Sequence, residues 1–368
     1  MKILITTPTL QGGVSNYFSV LSKYLSVKVE FFHVGSRTQE RKLPEVSRLI
    51  RDYKQFVWQL RNNDYDIVHV NPSLGFKAFF RDALFLFIAR LFDKHTVVLI
   101  HGWSMPFERV VKSVFYPILK TVYFHSDAII VLGEEFKRTL ARLGFKKSLY
   151  KLIPPVDDDL LVRVDEDSIH NKYDSNQLSK VLFLARVHKD KGIYTTVQAM
   201  AFVQQDYPEA HLTIAGSGPE IESVVKVVDR LRLAHCEFLG HVSGQAKAEA
   251  FWQADVYVLP TTTAEGIPTS LLEAMAFGLP VVTRPAGGIK DFFENDKMGF
   301  LTESTDPEQF AKFIKRLLGD RQRMKEIGVY NHQYAMQNFL ASDVARKMEL
   351  IYRGVLNGKY AEEAHKAL

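Results

Sequence analysis

Val256-Tyr-Val-Leu259 runs through the polar loop Pro260-Thr-Thr-Thr-Ala264 into Glu265-Gly-Ile-Pro-Thr-Ser-Leu-Leu-Glu273. The first four residues are apolar, the pattern of a short buried strand. The last nine open a helix. Pro268 suits the first helical position, where its missing N–H is no loss. Leu271, Leu272, Ala274 and Met275 give that helix an apolar side, and Gly278 with Pro280 ends it. A helix start leaves backbone N–H groups pointing outward at the positive end of the dipole. That geometry favours a phosphate or a ring of hydroxyls. Glu265 precedes the helix and Glu273 lies about two turns in. The two carboxylates need not touch, yet both can face one ligand over the helix end.

Outward from this unit the chain alternates strand and helix. Upstream, Lys2–Thr7 reads as a buried strand, Pro8–Gly13 as a loop and Val14–Leu25 as a helix. Val27–Val34, Asp66–Val70, Thr96–Ile100, Ala128–Leu132 and Tyr150–Ile153 read as further strands, and Pro44–Arg61 as a helix. Pro154-Pro-Val-Asp-Asp-Asp159 has the two prolines and three acids of a linker, and Asp165–Ser179 is polar and reads as a surface excursion. Alternation resumes with strands at Val181–Ala185, His211–Ala215, Cys236–Leu239, Val281–Thr283 and Gly299–Thr302. Asp306-Pro307 is a capped helix start, and the remainder is helical with a break near Leu340–Asp343.

This pattern predicts an α/β protein of two doubly wound, Rossmann-like domains facing a cleft. The expected boundaries are 1–156 for a first domain, 157–341 for a second and 342–368 for a C-terminal helical segment. Ligands in such sheets sit beyond the carboxyl ends of the strands, where Gly12, Gly13, Asn71, Ser73, His101 and Gly102 fall.

At 368 residues there is chain enough for two full cores, and 46% hydrophobic with 24% charged residues is ordinary for a globular protein. One cysteine, Cys236, permits no internal disulfide and reads as a small core residue in a reducing, cytoplasmic setting. Met1 leads straight into a strand, with no signal-peptide pattern. The net charge of +5 fits an anionic substrate or a membrane surface. The basic residues form no stripe with stacking motifs, which argues against nucleic acid.

The run Glu265-Gly-Ile-Pro, Leu272-Glu273-Ala-Met-Ala and Gly278-Leu-Pro280-Val-Val resembles the signature of retaining glycosyltransferases of the group 1 (family 4) type, which have the GT-B fold. The commoner form has Phe-Gly where this chain has Ile267-Pro268. The resemblance implies transfer of a sugar from a nucleoside diphosphate sugar to a hydroxyl of a glycan or lipid-linked glycan, with no metal and no other cofactor. It implies contacts from Glu265 to donor-sugar hydroxyls and from Glu273 to the ribose. Gly266 and Ile267 would give amides to the ligand. Arg186 and Lys191 match the family's diphosphate-binding pattern, with Ala185 where the family usually has Gly. Two cations can meet a diphosphate's charge without a metal. Gly13 resembles the glycine whose N–H meets the same diphosphate, and Gly12 precedes it. His101 matches the histidine beside the reacting carbon. Gly216 and Gly218 let the chain approach the nucleotide closely, and the base is expected near Gly240-His241-Val242. His69, His125, His211 and His235 are scattered singly and read as structural.

Retention by double displacement needs a carboxylate nucleophile opposite the leaving group. The family offers no consistent one, so the alternative is front-face departure, in which the leaving phosphate takes the acceptor's proton. Phe76-Lys77-Ala-Phe79-Phe80-Arg81 through Phe92, with Arg109, Lys112, Phe115, Tyr116 and Lys120, is aromatic and basic. It suits either a lipid headgroup layer or a core-facing helix with solvated cations. The rival readings are a nucleotide-sugar epimerase, a phosphorylase and a non-enzymatic sugar- or nucleotide-binding protein.

Overall fold

The computed structural model describes residues 1–8, 13–35, 45–103, 105–174, 179–263 and 266–358. The chain opens with β1 (Lys2–Pro8), α1 (Gly13–Leu21), β2 (Lys28–Val34), α2 (Glu45–Asn62), β3 (Ile67–Val70), β4 (Ser73–Leu74) and α3 (Phe76–Leu91). It continues through β5 (His95–Ile100), β6 (Gly102–Trp103), α4 (Met105–Ser113), α5 (Tyr116–Thr121), β7 (Ala128–Val131), α6 (Glu134–Arg142) and β8 (Ser148–Lys151). Next come α7 (Glu166–Asp174), β9 (Lys180–Leu184), α8 (Ile193–Asp206), β10 (His211–Ala215), α9 (Ile221–Leu231), β11 (Cys236–Gly240) and α10 (Gly244–Gln253). The chain ends with β12 (Val256–Leu259), α11 (Thr269–Ala276), β13 (Val281–Thr283), β14 (Gly299–Leu301), α12 (Pro307–Leu318), α13 (Arg321–Asn338) and α14 (Ala341–Asn357).

Contacts divide the chain into two units. One holds Met1–Pro155 and the chain from Ala341 onward; the other holds Val156–Thr263 and Ile267–Leu340. The first unit has a six-stranded sheet in the order β2-β1-β3-β5-β7-β8, with every pairing parallel. Its central strands are apolar on both faces, as a sheet covered by helices on both sides requires. On one face α14 packs beside α1: Val344, Ala345, Met348, Ile351 and Tyr352 share a core with Ile3, Ile5, Tyr17, Phe18 and Leu21. On the other face Phe79, Phe85 and Leu86 of α3 join Leu4, Phe32, Phe56, Val68 and Val98. Beyond the main sheet β4 pairs with β6, Ser73 against Gly102. This small pair holds together the segments that leave β3 and β5.

The second unit has six parallel strands in the order β11-β10-β9-β12-β13-β14. In chain order that is the 3-2-1-4-5-6 arrangement of a dinucleotide-binding sheet, whose direction of winding reverses between β9 and β12. Ligands of such sheets occupy the crevice at that reversal, beyond the carboxyl ends of the two strands.

Several expectations need correction. Helix α1 ends at Leu21 rather than Leu25; Ser22, Lys23 and Tyr24 close it in a tightened turn. The sixth strand covers Ser148–Lys151 rather than Tyr150–Ile153. Asp165–Ser179 is no simple surface excursion. It contains α7, which buries Ile169 and Tyr173, and the Tyr173 hydroxyl donates to the Gly278 carbonyl at 2.8 Å. Two apolar residues sufficed because α7 packs one narrow face on α13 and turns its acids outward. Pro154–Asp159, read as a linker, spans the boundary between the two units, which falls between Pro155 and Val156. Val156 pairs with Leu340, and the buried Asp157 accepts from the Asp159 amide at 3.3 Å. Cys236 is half-buried in an outer strand of the sheet rather than in the core, and burial pushes its thiol up to about 12.

Candidate active site

The segments leaving β9 and β12 are stitched to each other at the reversal of the second sheet. The Asp190 carbonyl accepts the Thr262 amide at 2.8 Å and the hydroxyls of Thr261 and Thr262, both at 3.2 Å. Gly192 adopts φ +77°, and a Cβ there would lie 2.4 Å from the Pro260 carbonyl oxygen. Only glycine allows the two segments this close. The turn Lys189–Lys191 precedes Gly192 and holds Lys191 at 6% exposure, directly before α8. Arg186, at the start of the same segment, is exposed.

Gly216 and Gly218 also permit a close approach within the chain itself. A Cβ on Gly216 would meet the Ala185 carbonyl oxygen at 1.9 Å, and one on Gly218 the Val187 carbonyl oxygen at 2.2 Å. The space left by both side chains is filled by the protein's own backbone around Arg186. The Val187 amide donates to the Ser217 carbonyl at 3.0 Å, completing the contact. These glycines seat the Arg186 segment on the turn after β10.

Helix α11 carries the signature that opened the sequence. Pro268 caps it at φ −64°, ψ 118°, one position earlier than the first helical residue, and its own side chain makes no capping hydrogen bond. Ile267 is buried beside it. The other end is held firmly. Gly278 turns the chain at φ +69°, the Ala276 carbonyl is 2.7 Å from Nδ1 of the buried His332, and Asn331 Nδ2 donates to the carbonyls of Leu279 and Met298. Since a carbonyl only accepts, His332 carries its proton on Nδ1.

Glu273 is 5% exposed, one turn from the end of α11. Its Oε1 lies 2.5 Å from Nζ of Lys247 in α10. Burial raises the Glu273 pKa above its ordinary value; Lys247 works against that rise and Asp157 adds to it. Lys247 stands five residues after Val242, in the segment where the base was expected. Val242 itself is half-buried and the neighbouring His241 exposed.

In the first unit Gly13, Asn71 and His101 stand at the carboxyl ends of β1, β3 and β5. Gly13 starts α1, and a Cβ there meets nothing within 4 Å. Packing among the described residues therefore does not demand this glycine. Nε2 of His101 is 3.1 Å from Oδ1 of Asn71, and the Asn71 amide donates to the Thr6 carbonyl at 2.8 Å. Burial lowers the His101 pKa to about 3, so the ring is neutral. Edge-on contacts from Tyr17 and Phe18 surround it. His69 is a buried structural histidine, bonded through Nδ1 to the Tyr352 hydroxyl at 2.7 Å. Gly12 and Glu265 lie outside the described residues. Among the described residues no group of three or more His, Cys, Asp or Glu could hold a metal ion.

Sequence reading missed Lys247 and the roles of Asn71 and Asp157. No motif marks Lys247, because its partner lies one βα unit further on.

The sequence matches two family profiles: "Glycosyl transferases group 1" over residues 165–333 and "Glycosyltransferase Family 4" over residues 12–159. The chain belongs to the group 1 glycosyltransferases, with the GT-B fold. A GDP-mannose-dependent alpha-(1-6)-phosphatidylinositol monomannoside mannosyltransferase of Mycobacterium tuberculosis is 27% identical over 265 residues, covering 69% of this chain and 67% of the relative. The N-acetyl-alpha-D-glucosaminyl L-malate synthase of Bacillus anthracis is 27% identical over 64% of this chain and 68% of its own. Among solved structures, Anabaena HepE in complex with UDP and glucose superposes at TM-score 0.72 with 19% identity, covering 96% of this glycosyltransferase and 100% of HepE. Sucrose-phosphate synthase from Thermosynechococcus elongatus superposes at 0.75 with 19% identity, covering 97% and 99%.

Proposed function

We propose that this glycosyltransferase moves a sugar from a nucleoside diphosphate sugar to a hydroxyl of a glycan or lipid-linked glycan, retaining the anomeric configuration and using no metal. The observation that carries this is the pair Arg186 and Lys191 on one stitched segment at the sheet reversal. A diphosphate leaving group develops negative charge as the glycosidic bond breaks, and two cations fixed beforehand stabilise it without reorganisation. Glu273 takes the ribose, Gly266 and Ile267 offer amides, and the base packs near Val242. Glu265 takes donor-sugar hydroxyls and His101 serves the reacting carbon. The acceptor hydroxyl attacks the anomeric carbon from the face that the phosphate leaves. Its proton passes to the departing phosphate oxygen, so no enzyme nucleophile is required. Relatives named for GDP-mannose and neighbours solved with UDP support a nucleotide-sugar donor.

Thermal-shift screening with UDP, GDP and ADP sugars tests the donor, because a ligand of the folded state raises the melting temperature by mass action. The anomeric configuration of the product, read by proton NMR, tests retention. No shift with any of these sugars would contradict the proposal.

A second reading concerns location. Phe76, Leu84, Phe87 and Leu91 of α3 are exposed, next to the exposed Lys77, while the opposite side of the helix is core. The core-facing reading thus holds for one side of the helix, and the other side is exposed. An exposed apolar row flanked by cations suits an anionic lipid surface. We place the reaction in the cytoplasm at the inner face of the membrane. No described helix is long and apolar enough to cross one.

A further inference from the structure

Glu273 and Lys247 form an ion pair in which one member is nearly inaccessible and the other reaches solvent. Exposure of the side chains is 6% for Glu273 and 21% for Lys247. A carboxylate at that depth is disfavoured in its charged form. Two acids compete for local positive charge, since Asp157, at the start of the turn packed on α10, raises the Glu273 pKa further. Among the described residues, Lys247 is the one whose opposing charge acts on Glu273. The contact engages Oε1, and no described residue hydrogen-bonds Oε2.

The protonation state decides what this group can recognise. An ionised carboxylate only accepts, and it can take two hydroxyl protons. A protonated carboxyl becomes a donor at one oxygen and no longer matches a vicinal diol. We propose that Lys247 is a positioning residue for ribose recognition: by pairing with Glu273 it fixes that carboxylate as an acceptor for the 2′- and 3′-hydroxyls of the nucleotide. This rests on the donor reading above. Lys247 thereby sets the preference for ribonucleotides over 2′-deoxyribonucleotides, and Asp157 opposes it.

The test is calorimetric titration of the whole protein with UDP, GDP and ADP and then with the 2′-deoxy form of the nucleotide that binds, between pH 5.5 and 8.5. Wild type binds the ribonucleotide well at pH 7 and weakens as pH falls. In Lys247→Met the ribonucleotide weakens about tenfold or more at pH 7, the scale of a charge-assisted hydrogen bond. The 2′-deoxynucleotide, which keeps only the 3′-hydroxyl, weakens less, so the preference for the ribonucleotide shrinks, and the midpoint of the pH dependence moves up. Lys247→Arg restores both. Asp157→Asn, which keeps the capping oxygen, moves the midpoint down. A Lys247→Met protein with the wild-type ratio of ribo- to deoxynucleotide affinity and the wild-type midpoint overturns the role of Lys247. A wild-type protein that binds none of the three nucleotides overturns the donor reading instead.

Discussion

Oδ1 of Asn71 accepts a hydrogen bond from Nε2 of His101 across 3.1 Å. The direction follows from the far end of the same amide. Nδ2 of Asn71 donates to the Thr6 carbonyl, so Oδ1 must be the atom that meets the ring, and the proton must sit on Nε2. With the ring neutral, Nδ1 keeps a lone pair. His101 therefore offers an acceptor to a ligand rather than a positive charge. Asn71→Asp puts a carboxylate against Nε2, which favours the charged ring and raises the His101 pKa. In protein labelled with 15N-histidine, the wild-type ring stays in the Nε2–H form down to pH 5. In the Asn71→Asp protein the same ring should titrate closer to the ordinary histidine range. A wild-type ring protonated at pH 6 contradicts the assignment.

His69 gives a prediction for the fold itself. Burial, reinforced by His101, lowers its pKa from 6.5 to about 3. The folded form refuses a proton that the unfolded chain accepts. The stabilisation is present above the ordinary value and is lost as pH falls from there towards 3. At pH 5 the loss amounts to about 2 kcal/mol for this residue. Urea denaturation at pH 7 and pH 5 measures it; His101, lowered to about 3 as well, contributes a like amount, so His69→Gln should remove about 2 kcal/mol of the difference and leave the His101 share.

Glu273 carries the opposite sign. Its raised pKa means that the fold holds the proton more tightly than the unfolded chain. Stability from this group is present below the ordinary carboxyl value and is lost as pH rises through the folded value. Glu273→Gln should accordingly raise the melting temperature at pH 7, leave it unchanged near pH 4, and weaken nucleotide binding. A lower melting temperature at pH 7 would contradict this.

Asn331 tests the clamp on α11. It is wholly buried and donates to two carbonyls from different segments, those of Leu279 and Met298. Asn331→Ala leaves both short of a donor and should cost roughly 2–4 kcal/mol of unfolding free energy. Urea denaturation checks the figure.

The apolar row on α3 predicts a separable phenotype. Phe87→Asp with Leu91→Asp should abolish sedimentation with vesicles containing phosphatidylglycerol. Melting temperature and turnover of a soluble acceptor should stay unchanged, because both side chains are exposed. Equal sedimentation of the double variant contradicts the membrane reading.

The sequence carried the sheets well and the polar contacts poorly, for a physical reason. Strands such as Val256–Leu259 and Ala128–Val131 are buried on both sides, so their apolar runs and flanking turn residues mark them locally. Helix α7 escaped because its burial depends on Ile169 and Tyr173 finding distant partners in α13 and at Gly278. Gly216 and Gly218 admit the backbone of Ala185 and Val187, a close approach that the local sequence does not display. Lys247 and Asn71 act through pairings across separate strand-and-helix units, which no spacing rule displays. Gly13 is different again: among the described residues nothing lies within 4 Å of a Cβ there, so Gly13→Ala should fold normally and raise the donor KM.

Every step of the proposed transfer depends on Lys191 and Arg186 taking up the charge released when the nucleotide departs. Turnover and melting temperature of Lys191→Ala, determined on the same preparation, decide whether they do. Turnover should fall by orders of magnitude, about 100-fold or more, while the melting temperature shows the chain still folded. Near-normal turnover in folded Lys191→Ala protein would contradict that role.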